Sequence, residues 1–225
     1  MLSFALFLTL SLVGAKTSIH YGDATKNGQL VYIEKHEIET DEKGQVMKAK
    51  TSYLRPDESV FATLESDFSK SLTNAQHVME DLRDGHTYGV RWEENAPVMW
   101  DKKKDSKERI KKITPDFAKG KLIIGGQGLH YYMRDKLSEL KETKLPIAIL
   151  IPGKMDWYSF LVEYQGEEEG LMKFVIKAQS AFLRLFAPKL EVWYSPDGRL
   201  QRYKGLSNLS DDKGSNQSVE IKYRF

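Results

Sequence analysis

The chain has 225 residues, with Lys+Arg 34 against Asp+Glu 32, a formal net charge of +2, 11% aromatic residues and no cysteine. So even a charge balance excludes a dedicated nucleic-acid binder, which carries a strong basic excess, and the aromatic content excludes global disorder. The missing cysteines exclude a thiol nucleophile, a thiolate metal site, a lipid-modified N-terminal cysteine and any disulfide, so the core alone must hold the fold.

Residues 2–15 read LSFALFLTLSLVGA, an uncharged run ending on Val13, Gly14 and Ala15 in the spacing a signal peptidase accepts. It is shorter than the roughly 20 apolar residues of a spanning helix. A buried N-terminal helix or a short anchor is the alternative. The reading is a signal peptide over 1–15, cleaved after Ala15, followed by a single β-rich domain over 16–225 that is periplasmic or secreted.

Short β-like runs separated by turn residues follow, the pattern of a meander. They are predicted at Gln29–Thr40, Val46–Leu54 and Val60–Phe68, then at His77–Arg83 and His86–Glu93 joined by Asp84-Gly85. Asp-Gly between two such runs signals a two-residue hairpin and would set Arg83 opposite His86. Leu145–Ile151 is a continuous apolar run, as for a strand buried on both faces. Asp156–Tyr164 and Leu171–Ala178 flank a turn at 165–170, and Leu190–Ser195 and Arg199–Gly205 flank Pro196-Asp197-Gly198. In the last strand Val219, Ile221, Tyr223 and Phe225 alternate with Glu220, Lys222 and Arg224, one face buried and one wet.

Helical spacing interrupts this pattern once clearly, at Leu129, Met133, Leu137 and Leu140 among charged neighbours. A shorter helical turn is predicted from Gln179 to Phe186, ended by Pro188. The fold class is therefore mainly β (α+β): a large curved antiparallel sheet or incomplete barrel of about ten strands packed on one central helix.

Catalytic signatures are scarce. Gly125-Gly126-Gln127-Gly128 opens the helix, where backbone N–H groups can bind an anion. Tyr131 occupies the third small position of a dinucleotide fingerprint and no Gly-Lys-Ser/Thr follows, so these glycines read as a tight turn. The histidines His20, His36, His77, His86 and His130 show no metal-ligand spacing. Glu37 beside His36 points to the opposite face of a strand. The S-x-x-K pairs at Ser138/Lys141 and Ser210/Lys213 lack companion motifs, and Glu167, Glu168 and Glu169 read as a solvated hairpin tip. No enzyme activity, metal or cofactor is expected.

Two features remain as candidate binding sites. Asp101 to Lys121 carries Lys102, Lys103, Lys104, Lys107, Arg109, Lys111, Lys112, Lys119 and Lys121 against Asp101, Asp105, Glu108 and Asp116. Such a patch can rest on anionic headgroups, each basic residue contributing about 1 kcal/mol, or be a solvated connection. The absence of interleaved aromatics there counts against nucleic acid. The aromatics Tyr131, Tyr132, Trp157, Tyr158, Phe160 and Trp193, with Tyr194 and Tyr203, would line a space between sheet and helix fit for an apolar or lipid-like ligand, or form an ordinary core.

Phe182 to Asn208 (FLRLFAPKLEVWYSPDGRLQRYKGLSN), with a strand ending near Trp193, a Pro-Asp-Gly turn and a further strand, resembles the end of an exported bacterial β-rich family of unknown function. The whole plan resembles the half-barrel-plus-helix carriers of lipoproteins in Gram-negative envelopes (LolA/LolB-like folds). Export, a single helix against a large sheet and surplus aromatics point to a periplasmic binding or carrier module for a lipid-like or apolar ligand. The alternatives are an envelope structural or protein-interaction module, contacting an envelope protein or the membrane surface, and a hydrolase of envelope material.

Overall fold

A computed structural model describes residues 16–94, 96–114, 118, 120–180 and 189–225. The apolar segment 1–15, Asp116, Lys119 and most of the second helical turn (181–186) lie outside the described residues. The strands are β1 (Lys16–Lys26), β2 (Gln29–Thr40), β3 (Val46–Leu54), β4 (Val60–Asp67), β5 (Gln76–Asp81), β6 (His86–Glu93), β7 (Ala96–Lys102) and β8 (Arg109–Lys112). After them come β9 (Leu122–Ile124), helix α1 (Gly128–Glu142), β10 (Leu145–Ile151), β11 (Asp156–Glu168), β12 (Leu171–Ala178), β13 (Leu190–Tyr194), β14 (Leu200–Ser210) and β15 (Asn216–Arg224).

All fifteen belong to one sheet, ordered β8-β7-β6-β5-β4-β3-β2-β1-β15-β14-β13-β12-β11-β10-β9. The class matches expectation, but fifteen strands replace about ten. Those added are β1, β7, β8 and β9. β1 begins at the end of the apolar segment, β8 is a four-residue strand of charge-rich sequence, and β9 has only three residues. Each pairs antiparallel with its predecessor except at two places. β1 joins β15, and β9 lies parallel to β10. A parallel pair needs a crossover, and α1 is that crossover.

Turn chemistry sets the register. Asn27 (φ 53°) and Gly28 (φ 78°) make the two-residue turn that pairs Lys26 with Gln29. The Asp84-Gly85 turn differs from expectation, because Asp81, not Arg83, stands opposite His86. Arg83 folds back on Asp81, with Nε at 2.9 Å from Oδ1 and a terminal nitrogen at 2.6 Å from Oδ2, which lengthens the loop to residues 82–85. Likewise β11 runs on through 165–168 past a bulge at Tyr164/Gly166, so Glu167 and Glu168 are strand residues and not a free tip.

The sheet rolls over α1, and its two end strands do not hydrogen-bond to each other. Met133, Leu137 and Leu140 pack on Ile147, Phe160, Phe174 and Val192 of one half, in a cluster that also holds Ile124, Val162 and Tyr194. Tyr131 turns to the other half, where it meets Phe68 edge-on at 4.8 Å between ring centroids and packs near Ile38, Val46 and Ala49. β10 is buried on both faces as predicted. Ile147 faces the helix cluster, while Leu150 joins Val90, Met99 and Ile113 beneath β6 and β7. The β9–β10 end thus tucks into the concave side of the opposite half, while β8 stays exposed.

Candidate functional site

Strand alternation on β2 sends Tyr32, Glu34, His36 and Ile38 to the concave face. His36 sits opposite Thr51 of β3 on one side and His20 of β1 on the other. The partner of His36 is therefore Glu34, two residues earlier on the same face, and not Glu37. His36 Nε2 lies 3.0 Å from Glu34 Oε2, and Nδ1 lies 2.8 Å from Thr51 Oγ1. Gln127 Nε2 donates to Thr51 Oγ1 at 2.9 Å. A neutral imidazole that donates Nε2–H to the Glu34 carboxylate would leave Nδ1 as acceptor, which assigns the direction of the chain. The Gln127 amide donates to Thr51, the Thr51 hydroxyl to Nδ1, and Nε2–H to the Glu34 carboxylate, which also accepts from the Tyr223 hydroxyl at 3.3 Å.

Aromatic groups surround this relay. His20 stacks on His36 (4.6 Å, 15°) and on Phe225 (5.1 Å, 24°). Burial first, and the Glu34 charge second, push the hydroxyl pKa values of Tyr32, Tyr53, Tyr203 and Tyr223 upward, so all four stay protonated. Burial, with His36 next, lowers His20 to about 4. Burial, followed by Arg134, lowers His130 to about 3, and its Nδ1 lies 3.2 Å from the Tyr194 hydroxyl.

Thr51, His36 and Glu34 stand in the order of nucleophile, base and orienting carboxylate. Yet Thr51 is 0% exposed and its oxygen already receives the Gln127 amide. A substrate carbonyl has no approach to it. The relay ties the sheet to the N-terminal end of α1. Among the described residues no group of three or more His, Asp or Glu is placed to hold a metal.

The glycines before the helix are explained by packing. A Cβ on Gly128 would lie 2.0 Å from the Thr73 carbonyl oxygen, and one on Gly125 would lie 2.4 Å from Asn74 Oδ1. The segment presses directly against the lead-in to β5, which only glycine permits.

The six aromatics expected around one cavity occupy several places. Tyr131 is buried against Phe68 and Tyr132 is half-buried on α1. Tyr158 and Phe160 belong to the helix-facing cluster, whereas Trp157 lies on the other face of β11 with Leu150 and Met155. Trp193 is on the convex face. There its ring is sandwiched between Arg202 (Cζ 3.9 Å) and Lys173 (Nζ 4.8 Å). Glu168 binds both cations, at 3.0 Å to Lys173 and 2.6 Å to Arg202, which lowers its carboxyl to about 2.

The basic segment forms an arm. Residues 102–112 are exposed throughout, as the β7–β8 connection and the edge strand β8. Its root is Asp101, 1% exposed, which accepts from His86 Nε2 at 2.6 Å and from Arg109 at 2.6 and 2.9 Å. Burial alone would raise the Asp101 carboxyl, but these hydrogen bonds outweigh it and hold it low. Lys111 bonds the Met155 carbonyl and Asp156, and Lys112 lies 3.8 Å from Glu93. Lys102, Lys103, Lys104 and Lys107 enter no ion pair among the described residues. Sequence reasoning found the arm but missed its anchor, because Asp101 looked like one more charge in a charged run.

No family model, curated protein or solved structure matches the chain.

Proposed function

We propose that the chain is an exported, non-catalytic interaction module of the cell envelope that docks on anionic surfaces through its β7–β8 arm. The observation that carries this reading is the arm itself: Lys102, Lys103, Lys104 and Lys107 are exposed and without ion pairs among the described residues, on a hairpin rooted in the buried Asp101. A solvated charge run needs no such root. Held side by side, four ammonium groups each contribute about 1 kcal/mol near an anionic leaflet. The carrier reading asks for open space between helix and sheet. Met133, Leu137 and Leu140 are at most 6% exposed against that sheet, which favours docking by the outer surface.

The test is co-sedimentation with phosphatidylcholine vesicles with and without phosphatidylglycerol. The wild-type chain sediments with the anionic vesicles alone, and less so as salt rises. Changing Lys102, Lys103, Lys104 and Lys107 together to Glu lowers the partition coefficient roughly a hundredfold or more. Equal binding by this variant and the wild type would refute the proposal.

A further inference from the structure

The register across β5 to β8 aligns four residues in one row. Val78 stands opposite Gly89, Gly89 opposite Trp100, and Trp100 opposite Ile110. Directly opposed residues share a face. Their neighbours Met79, Val90 and Met99 are buried on the concave side, so this row lies on the convex side. Val78 is 42% and Ile110 52% exposed, Trp100 is half-buried, and Gly89 between them is buried, closely covered by the His77–Val78 backbone. At about 4.8 Å per strand the row is roughly 14 Å long.

Its surroundings are charged, and unevenly so. Arg91 is engaged by Glu93 at 3.0 Å and Glu108 at 2.9 Å, and Lys112 approaches Glu93 at 3.8 Å. Glu93 and Lys112 neutralise one flank, whereas Glu108 adjoins Arg109, which stands opposite Asp101, so the Arg91–Glu108 pair reaches across the row toward the Lys102 side. On the other flank Lys102 borders the row, and Lys103, Lys104 and Lys107 follow at the tip of the same hairpin. An aliphatic and indole strip beside unneutralised lysines combines the two terms of interfacial binding: apolar burial at the headgroup boundary and attraction to phosphate. A second copy docked with its two-fold axis along the strands would set lysine tip against lysine tip.

We propose that Val78, Trp100 and Ile110 insert into the headgroup boundary of an anionic phospholipid leaflet while Lys102, Lys103, Lys104 and Lys107 hold its phosphates. This rests on the docking role of the arm and adds its apolar half. It makes the convex face of β5 to β8, and not the hairpin tip alone, the contact surface.

Vesicles with and without phosphatidylglycerol, and others with brominated acyl chains, test this. Bromine quenches tryptophan fluorescence only in contact range, so the wild-type signal falls and the part lost is absent in Trp100→Phe. Val78→Ser and Ile110→Ser each lower partitioning about tenfold, and the residual binding is abolished by salt. The positions are exposed, and circular dichroism confirms that the variants fold. If both serine variants bind like wild type and bromolipid leaves Trp100 unquenched, the apolar row is not inserted, while a loss in the four-lysine variant would keep the docking reading. If the wild type binds soluble polyglutamate but no vesicle, the lipid partner is wrong. If it binds neither, both proposals fall.

Discussion

Replacing His36 by Phe isolates the buried relay. The aromatic volume and the stack on His20 are kept, so no cavity cost enters. What is lost is the Nε2–H donor to Glu34 and the Nδ1 acceptor of Thr51, at residues 7% and 0% exposed. Glu34, 6% exposed, keeps only the longer bond from Tyr223. Stranding a buried charge in this way costs about 3–5 kcal/mol, and the orphaned Thr51 proton adds about 1 kcal/mol. A total near 4–6 kcal/mol lowers Tm by roughly 8–24 °C for a domain of this size. Urea denaturation and calorimetry read both values. A further Glu34→Gln change in the His36→Phe background removes the stranded charge and should recover at least about 2 kcal/mol. A loss below about 1 kcal/mol, or a double variant no better than the single one, would show that Glu34 does not depend on His36.

Acidification has a defined sign. His130 is held neutral with a pKa of about 3, against about 6.5 in the unfolded chain, so the unfolded state binds the extra proton. Stability is complete above pH 6.5 and is lost progressively as pH falls toward 3, by about 2 kcal/mol between pH 7 and 5 from this residue alone. His20, lowered to about 4, and the buried His77 act in the same direction. Urea titrations at those pH values should show the slope reduced in His130→Phe; an unchanged slope would rule out its burial as neutral imidazole. Gly128→Ala drives a Cβ into the Thr73 carbonyl and should cost about 3 kcal/mol by the same assay; a neutral result would mean that α1 does not press on that segment. Asp101→Asn removes the charge that His86 and Arg109 share, with an expected loss of about 2 kcal/mol. Amide exchange in β8 should accelerate at least about tenfold, and unchanged exchange there would show that Asp101 does not hold the arm.

Much of this fold was legible because its causes are local. The alternation of Val219, Ile221 and Tyr223, the Leu145–Ile151 run and the Met133/Leu137/Leu140 stripe each need only a period and a turn signal to read. What escaped was short or held by neighbours. β8 has four residues of almost pure charge and is a strand because β7 pairs with it. β9 exists through β10 and the α1 crossover.

The relay was hidden for another reason. Glu34 and His36 share a face by strand alternation, and that much follows from spacing two apart. Thr51 and Gln127 come from a neighbouring strand and from the helix start, so only register and rolling assemble the four. The convex row Val78–Gly89–Trp100–Ile110 is likewise a product of three successive registers. Local patterns are written in the order of residues and determined the β class, the helix and the basic arm. The side on which each residue lies was decided by the closing of the sheet, because burial is a property of the assembled surface and not of any segment within it.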